Sequence, residues 1–102
     1  MIYLTTIRQQ IHDLNPQKAK QLEQSGQMQE ILDEYDEQIV EQGIDAARQA
    51  RLDNQGQPQE LLIQAQEMAV EKANEIALTQ IMEELQLLYG TDTTTESQIM
   101  TS

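Results

Sequence analysis

Carboxylates are the reactive side chains that this sequence offers in number. It holds 18 Asp and Glu residues against 6 Lys and Arg, for a formal net charge of −12 at pH 7. In the segment EILDEYDEQIVEQ, four acids recur at the spacing of one helix face: Glu30, Glu34, Glu37 and Glu41. Like charges at i,i+4 weaken a helix by about 0.2–0.5 kcal/mol per pair. The pattern therefore predicts either a face that only keeps the helix in water or an acidic surface that binds a basic protein partner.

Carboxylate pairs are also candidate ligands for a divalent cation, because Mg²⁺ and Ca²⁺ prefer oxygen donors. Glu34 with Glu37, and Glu67 with Glu71, are such pairs if their helices are adjacent. Di-iron four-helix proteins add a Glu-x-x-His motif on two helices, and the single histidine, His12, is not part of such a motif. No EF-hand loop pattern occurs either. We expect no metal and no cofactor.

Catalysis by a nucleophile has little support in the sequence. There is no cysteine, and the serines are confined to a predicted turn and the C-terminal tail, at Ser25, Ser97 and Ser102. His12 could act as a general base, but beside Asp13 at a predicted helix end it is better explained by a favourable interaction with the helix dipole. The four glycines form no phosphate-binding loop. We expect that the protein is not an enzyme.

The charge balance also bears on partners and location. Lys18 and Lys20 are the one cluster of bases, whereas binding to phosphates needs many Lys and Arg side chains. No apolar run approaches the ~18 residues of a membrane-spanning helix, and the first residues, MIYLTTIRQQ, lack the features of a signal peptide. We expect no direct nucleic-acid partner, no membrane association and a cytoplasmic location.

The elements that position these carboxylates are predicted to be helices only. The sequence lacks Phe and Trp, so Leu, Ile, Met and Ala must form the core, which suits closely packed helices. A first short helix is predicted to begin after Thr5 or Thr6 and to stop before Pro16. A second is predicted to be capped by Asn15, with Pro16 at its first position, and to end at Gly26.

Two long helices follow, predicted over 27–52 and 59–89, with the turn DNQGQP between them and Gly90 as the final stop. So short a connection predicts an antiparallel helical hairpin. Gly43 interrupts the apolar stripe of the third helix, and we interpret it as a close helix crossing rather than a kink. Residues 1–90 are predicted to form one helical domain, and residues 91–102 a disordered polar tail.

The end of the fourth helix is apolar over an arc wider than one neighbouring helix can cover. The residues that we assign to this dimer or core face are Ile76, Ile81, Met82, Leu85 and Leu88. We expect a second copy to cover it, which gives a homodimer of the four-helix-bundle type. The alternative is that the two short helices fold back over it, with Ile7, Ile11, Leu14 and Leu22 as the covering side chains.

Two functions are compatible with these features. The first is a non-enzymatic protein–protein interaction module, a homodimeric adaptor or regulator that presents helical faces to a partner. The second is a DNA-mimic inhibitor of the phage or mobile-element type, whose acids take the place of phosphates in the basic groove of a nucleic-acid-binding protein. Binding by mimicry should weaken steeply with added salt, whereas apolar docking should not.

Overall fold

The computed structural model describes residues 2–90, and side chains from Tyr3 onward. Met1 and residues 91–102, which include the predicted disordered tail, lie outside the described residues. Over the described range the protein is all-helical, which confirms the predicted class of two short helices followed by two long ones. The helices are α1 (Ile2–Leu14), α2 (Pro16–Ser25), α3 (Gln27–Asp53) and α4 (Gln59–Leu85), and a π-helical segment (Gln86–Gly90) follows α4.

The start of α1 differs from the prediction, because the helix begins at Ile2 rather than after Thr5 or Thr6. Leu4, Ile7 and Ile11 follow at helical spacing; Ile7 and Ile11 are fully buried, and Leu4 is half-buried. Packing of an apolar stripe supplies most of the stability of a helix in a protein. Here it outweighs the preference of threonine for a capping position.

The bounds of α2 are confirmed together with their capping chemistry. The Asn15 side chain accepts a hydrogen bond from the backbone N–H of Lys18 at 3.1 Å, and Pro16 occupies the first turn. Gly26 closes the helix with a φ of 82°, in the left-handed region that glycine adopts without a steric penalty. Its N–H donates to the carbonyl of Glu23 at 3.4 Å.

The chain groups into two compact units. The first combines the residues up to Tyr35 with those from Gln80 onward, and the second is Asp36–Thr79. Whether the two act as one domain, as predicted for residues 1–90, stays a prediction.

The first unit contains most of the buried apolar side chains. In it, α1 packs against α2 and against the π-helical segment. Its buried residues are Ile7, Ile11, Ala19, Leu22, Met28, Leu32, Tyr35, Ile81, Leu85 and Tyr89. Three of the four covering side chains named in the fold-back alternative, from α1 and α2, are thus buried in the same unit as Ile81 and Leu85, and the fourth, Leu14, is half-buried.

The last turn of the predicted fourth helix is π-helical rather than α-helical. In a regular α-helix, Leu88 and Tyr89 would both follow Leu85 on one face, at i+3 and i+4. The wider turn buries Tyr89 and leaves Leu87 and Leu88 exposed. Gly90 lies close to α1: a Cβ there would meet the Leu14 side chain at 3.4 Å and Gln86 at 2.9 Å.

In the second unit, residues 36–53 of α3 pack against residues 59–79 of α4. Gly43 is buried there, and a Cβ at this position would meet Val70 Cγ1 at 3.5 Å and Asn74 Oδ1 at 3.6 Å. Both are ordinary contact distances, so Gly43 lies at a helix contact that has room for a Cβ, whereas the sequence interpretation was a crossing so close that a side chain would clash. The turn between the helices uses Gly56 at a φ of 89°.

Candidate functional site

The apolar side chains of the second unit are mostly exposed. Among the described residues it buries only Ile39, Ala50 and Ala77 of the apolar core. Of the nine large apolar side chains that are exposed within residues 3–90, it contains seven, which are Val40, Ile44, Leu52, Leu61, Ile63, Met68 and Ile76. Single exposed apolar residues are normal, but a concentration of them in one part of a structure is typical of an interaction surface.

The predicted acidic surface lies on the exposed side of α3. Glu30, Glu34, Glu37 and Glu41 are all exposed. Glu30 and Glu34 belong to the first unit, and Glu37 and Glu41 to the second. The described structure therefore leaves each of these carboxylates accessible to a partner.

Two exposed apolar residues lie among the second pair of acids, and the sequence reasoning missed them as site residues. Val40 is three positions after Glu37, and Ile44 is three positions after Glu41, so the four side chains are neighbours on one helix surface. Val40 and Ile44 are both exposed. We call Glu37, Val40, Glu41 and Ile44 the α3 face. Their helical spacing was the signal that could have identified the face from sequence.

The five residues of the predicted dimer or core face do not share one environment. Ile81 and Leu85 are 0% exposed within the first unit. Met82 is half-buried, and Leu88 is exposed on the π-helical segment. Ile76 belongs to the second unit and is exposed. The centre of the predicted face thus belongs to the core of its own chain.

A shallow groove of about 500 Å³ also lies in the second unit. It is lined by Ala46 and Ala50 of α3 and by Ala69, Ala73 and Ile76 of α4, together with polar residues that include Lys72. The groove is open to solvent along the helices, unlike the concave pockets that enclose small-molecule ligands. Its geometry therefore suits contact with another protein better than binding of a small ligand.

His12 takes part in an ion-pair cluster between α1 and α2. Its Nε2 lies 2.9 Å from Glu23 Oε2, and Arg8 Nε donates to the same carboxylate at 2.9 Å. A second Arg8 nitrogen donates to Glu23 Oε1. The hydrogen bonds from Arg8 and His12 lower the pKa of Glu23 from 4.5 to about 2, and Arg8 has the larger effect. The sequence-based explanation of His12 by the helix dipole missed Glu23, which lies 11 positions away on the next helix.

We expect this cluster to make stability depend on acid pH. Because folding lowers the pKa of Glu23, its contribution is complete above pH ~4.5 and is lost as the pH falls from there towards 2. The thermal midpoint of the wild type should therefore exceed that of Glu23→Gln at pH 5, and the difference should shrink steadily as the pH falls towards 2. Thermal melts followed by circular dichroism across this pH range measure the difference in midpoint, with Glu30→Gln on α3 as the control. A gap between wild type and Glu23→Gln that does not change with pH would contradict the assignment.

Two tyrosines of the first unit share an acidic neighbour. Burial raises the pKa of Tyr35, and the charge of Glu84 raises it further. Burial, followed by Glu84, also raises the pKa of Tyr89. Both phenols therefore stay neutral at physiological pH, and we assign them a packing role rather than a chemical one.

No group of three or more His, Cys, Asp or Glu side chains in the described part of the chain is arranged to hold a metal ion. None of the helices within residues 2–90 is both long and apolar enough to cross a membrane. No protein-family model, curated protein or solved structure matches this chain.

Proposed function

We propose that this protein is a non-enzymatic, acidic helical module that binds a basic protein partner. The observation that carries the proposal is the unequal distribution of apolar side chains, with a well-covered core in the first unit and seven exposed large apolar residues in the second. A helix pair that leaves so much apolar surface in water gains stability when a partner covers it.

The α3 face supplies both components that such a partner would recognise. Val40 and Ile44 offer apolar contact, and Glu37 and Glu41 offer charge at the rim. A helix that lies in an apolar groove is read through side chains at i, i+3, i+4 and i+7. A partner helix with an apolar stripe and flanking Lys or Arg fits this arrangement.

The DNA-mimic alternative uses the same acids without the apolar side chains. Mimicry of phosphates requires carboxylates in a polar surface, and Val40 and Ile44 add nothing to it. Salt separates the two functions: mimicry should lose most of its affinity between about 50 and 500 mM NaCl, whereas a docked apolar face should retain much of it.

We expect Glu37→Gln/Glu41→Gln to stabilise the isolated protein while weakening partner binding. The two carboxylates are i,i+4 neighbours, so their removal relieves about 0.2–0.5 kcal/mol of repulsion. Two exposed charge contacts contribute about 0.2–1 kcal/mol each, which predicts roughly two- to thirtyfold weaker binding at low salt, mainly through a slower on-rate. Surface plasmon resonance measures the on-rate, with a partner that has first been captured from the source cell and purified. Urea unfolding measures the stability.

Glu30→Gln/Glu34→Gln is the matched control, with the same spacing and charge change on the same helix. It tests how far the acidic surface extends along α3. If Glu37→Gln/Glu41→Gln is stabilised and binds as tightly as wild type at low salt, the acids of the α3 face only keep the helix in water.

We also propose that the protein is a homodimer, on a narrower basis than the sequence suggested. Since Ile81 and Leu85 are covered in the first unit, the side chains left for a second copy there are the exposed Leu87 and Leu88 with the half-buried Met82. Sedimentation at micromolar concentration should give twice the chain mass of 11.7 kDa, and Leu87→Gln/Leu88→Gln should return the single-chain mass. A wild type that sediments as a clean monomer would contradict the dimer. A cytoplasmic location also stays a prediction.

A further inference from the structure

The fourth helix has a second apolar face, which borders the groove between α3 and α4 in the second unit at Ile76 and otherwise faces away from α3. Leu61, Met68 and Ile76 are 50%, 70% and 47% exposed. At about 100° per residue these three side chains and Ala65 fall within roughly 90° of arc on α4. Val70 and Ala77 lie about 180° away around the helix. Val70 is next to Gly43 at the helix contact, and Ala77 is buried. We call Leu61, Ala65, Met68 and Ile76 the α4 face.

Acids follow one edge of the α4 face along its whole length. Glu60, Glu67, Glu71 and Glu75 are exposed and lie roughly 40–120° to one side of the Leu61 direction. Lys72 is the one base in α4 and lies within the face itself. Its methylene chain can extend the apolar surface while its ammonium group stays in water. The face is therefore apolar in the middle and negative along one edge.

We propose that the α4 face binds a cationic amphipathic helix, a surface distinct from the α3 face. This inference rests on the proposed function and adds a second surface, on α4, for a partner helix of the same chemistry. The face runs from Leu61 to Ile76, about 22 Å at 1.5 Å per residue, so it accommodates roughly four turns of a partner helix. Lys and Arg beside the partner's apolar stripe would meet the four glutamates.

Charge complementarity favours a cationic helix over a second copy of this chain as the partner of the α4 face. When two identical antiparallel helices pair across a two-fold axis, the same edges come together. Two α4 faces would then place Glu67 of one copy near Glu71 of the other, and like charges at such a contact are unfavourable. In a parallel pair, the glutamates of each helix would lie beside the apolar edge of the other helix. In either pairing, Lys72 is the only basic residue of α4 that could neutralise the glutamates.

The test uses the full-length chain and a synthetic probe. The probe is a fluorescein-labelled peptide of about 18 residues, with one Leu/Ala stripe and Lys along both edges, and a scrambled peptide of the same composition is its control. Fluorescence anisotropy at about 50 mM NaCl should show binding of the amphipathic peptide and at least tenfold weaker binding of the scrambled one. Leu61→Gln/Met68→Gln should weaken binding at least tenfold.

Matched variants separate the α4 face from general acidity. Leu52→Gln changes a side chain that is 54% exposed, close to the 50% of Leu61, and should alter binding less than twofold. Glu71→Gln/Glu75→Gln should weaken binding about three- to tenfold at 50 mM NaCl, and the difference should shrink at 500 mM as screening increases.

Three results would overturn the assignment. One is binding of both peptides equally, and another is binding that Leu61→Gln/Met68→Gln leaves unchanged. The third is a wild-type dimer that this double variant dissociates, which would make a second copy the occupant. If Val40→Gln/Ile44→Gln abolishes peptide binding and the α4 variants do not, the α4 assignment fails while the proposed function stands. If variants on neither face weaken binding, both fail.

Discussion

Replacing Leu85 by alanine should lower the free energy of unfolding by about 2–5 kcal/mol, the largest effect that we expect from a single substitution. Leu85 is fully buried in the first unit, in the same core as Ile81 and the side chains of α1 and α2. The change removes buried apolar volume and leaves a cavity that helices held by several neighbours cannot close completely. For a small domain, a loss of this size is a large part of the total stability.

Urea unfolding followed by circular dichroism measures this loss. Leu52→Ala is the control, since Leu52 is a leucine of similar helical context that is exposed near the end of α3. A surface change of this kind should stay within about 0.5 kcal/mol. If Leu85→Ala costs no more than Leu52→Ala in a monomeric sample, then Leu85 is not buried by its own chain and the described core is wrong at this position.

Substitutions of Gly43 should change stability in opposite directions according to size. Gly43→Ala should stabilise the protein by up to about 1 kcal/mol, because the new Cβ makes ordinary contacts with Val70 and Asn74 and alanine is the better helix former. Gly43→Leu should destabilise it by about 1–3 kcal/mol, because the longer side chain has to displace α4. The difference between the two variants is therefore expected to reach several kcal/mol.

The control for Gly43→Ala is the same change at Gly56. Gly56 has open space around it but a φ of 89°, where a Cβ costs about 1–2 kcal/mol. Alanine should therefore stabilise at position 43 and destabilise at position 56, as measured by thermal and urea unfolding. If Gly43→Leu is as stable as Gly43→Ala, the helix contact at this position is absent.

Local chemistry was the part of the fold that could be predicted from sequence. Asn15 and Pro16 start α2, and Gly26 ends it, because capping and a positive φ depend on the residue itself and its near neighbours. The turn between α3 and α4 was identified for the same reason. These features need no knowledge of the tertiary structure.

Features that depend on distant residues were missed. The start of α1 is set by burial of its apolar stripe, and the π-helical segment by burial of Tyr89 in place of Leu88. The Arg8–His12–Glu23 cluster joins two helices whose packing the sequence does not specify. The exposure of the four acids on α3 followed from periodicity. The same spacing places Val40 and Ile44 beside Glu37 and Glu41, but their exposure depends on how α3 packs and was seen only in the structure.

The protein is proposed to bind its partner through the α3 face, where the exposed Val40 and Ile44 lie beside Glu37 and Glu41. Quantitative affinity capture from the source cell tests this proposal most directly, with wild type and Val40→Gln/Ile44→Gln as baits and Leu52→Gln as the matched exposed control. We expect that at least one protein captured by wild type and by Leu52→Gln at about 50 mM NaCl is lost with the double variant, and that wild type partly retains it at 500 mM. The same proteins in the same amounts with all three baits would contradict it.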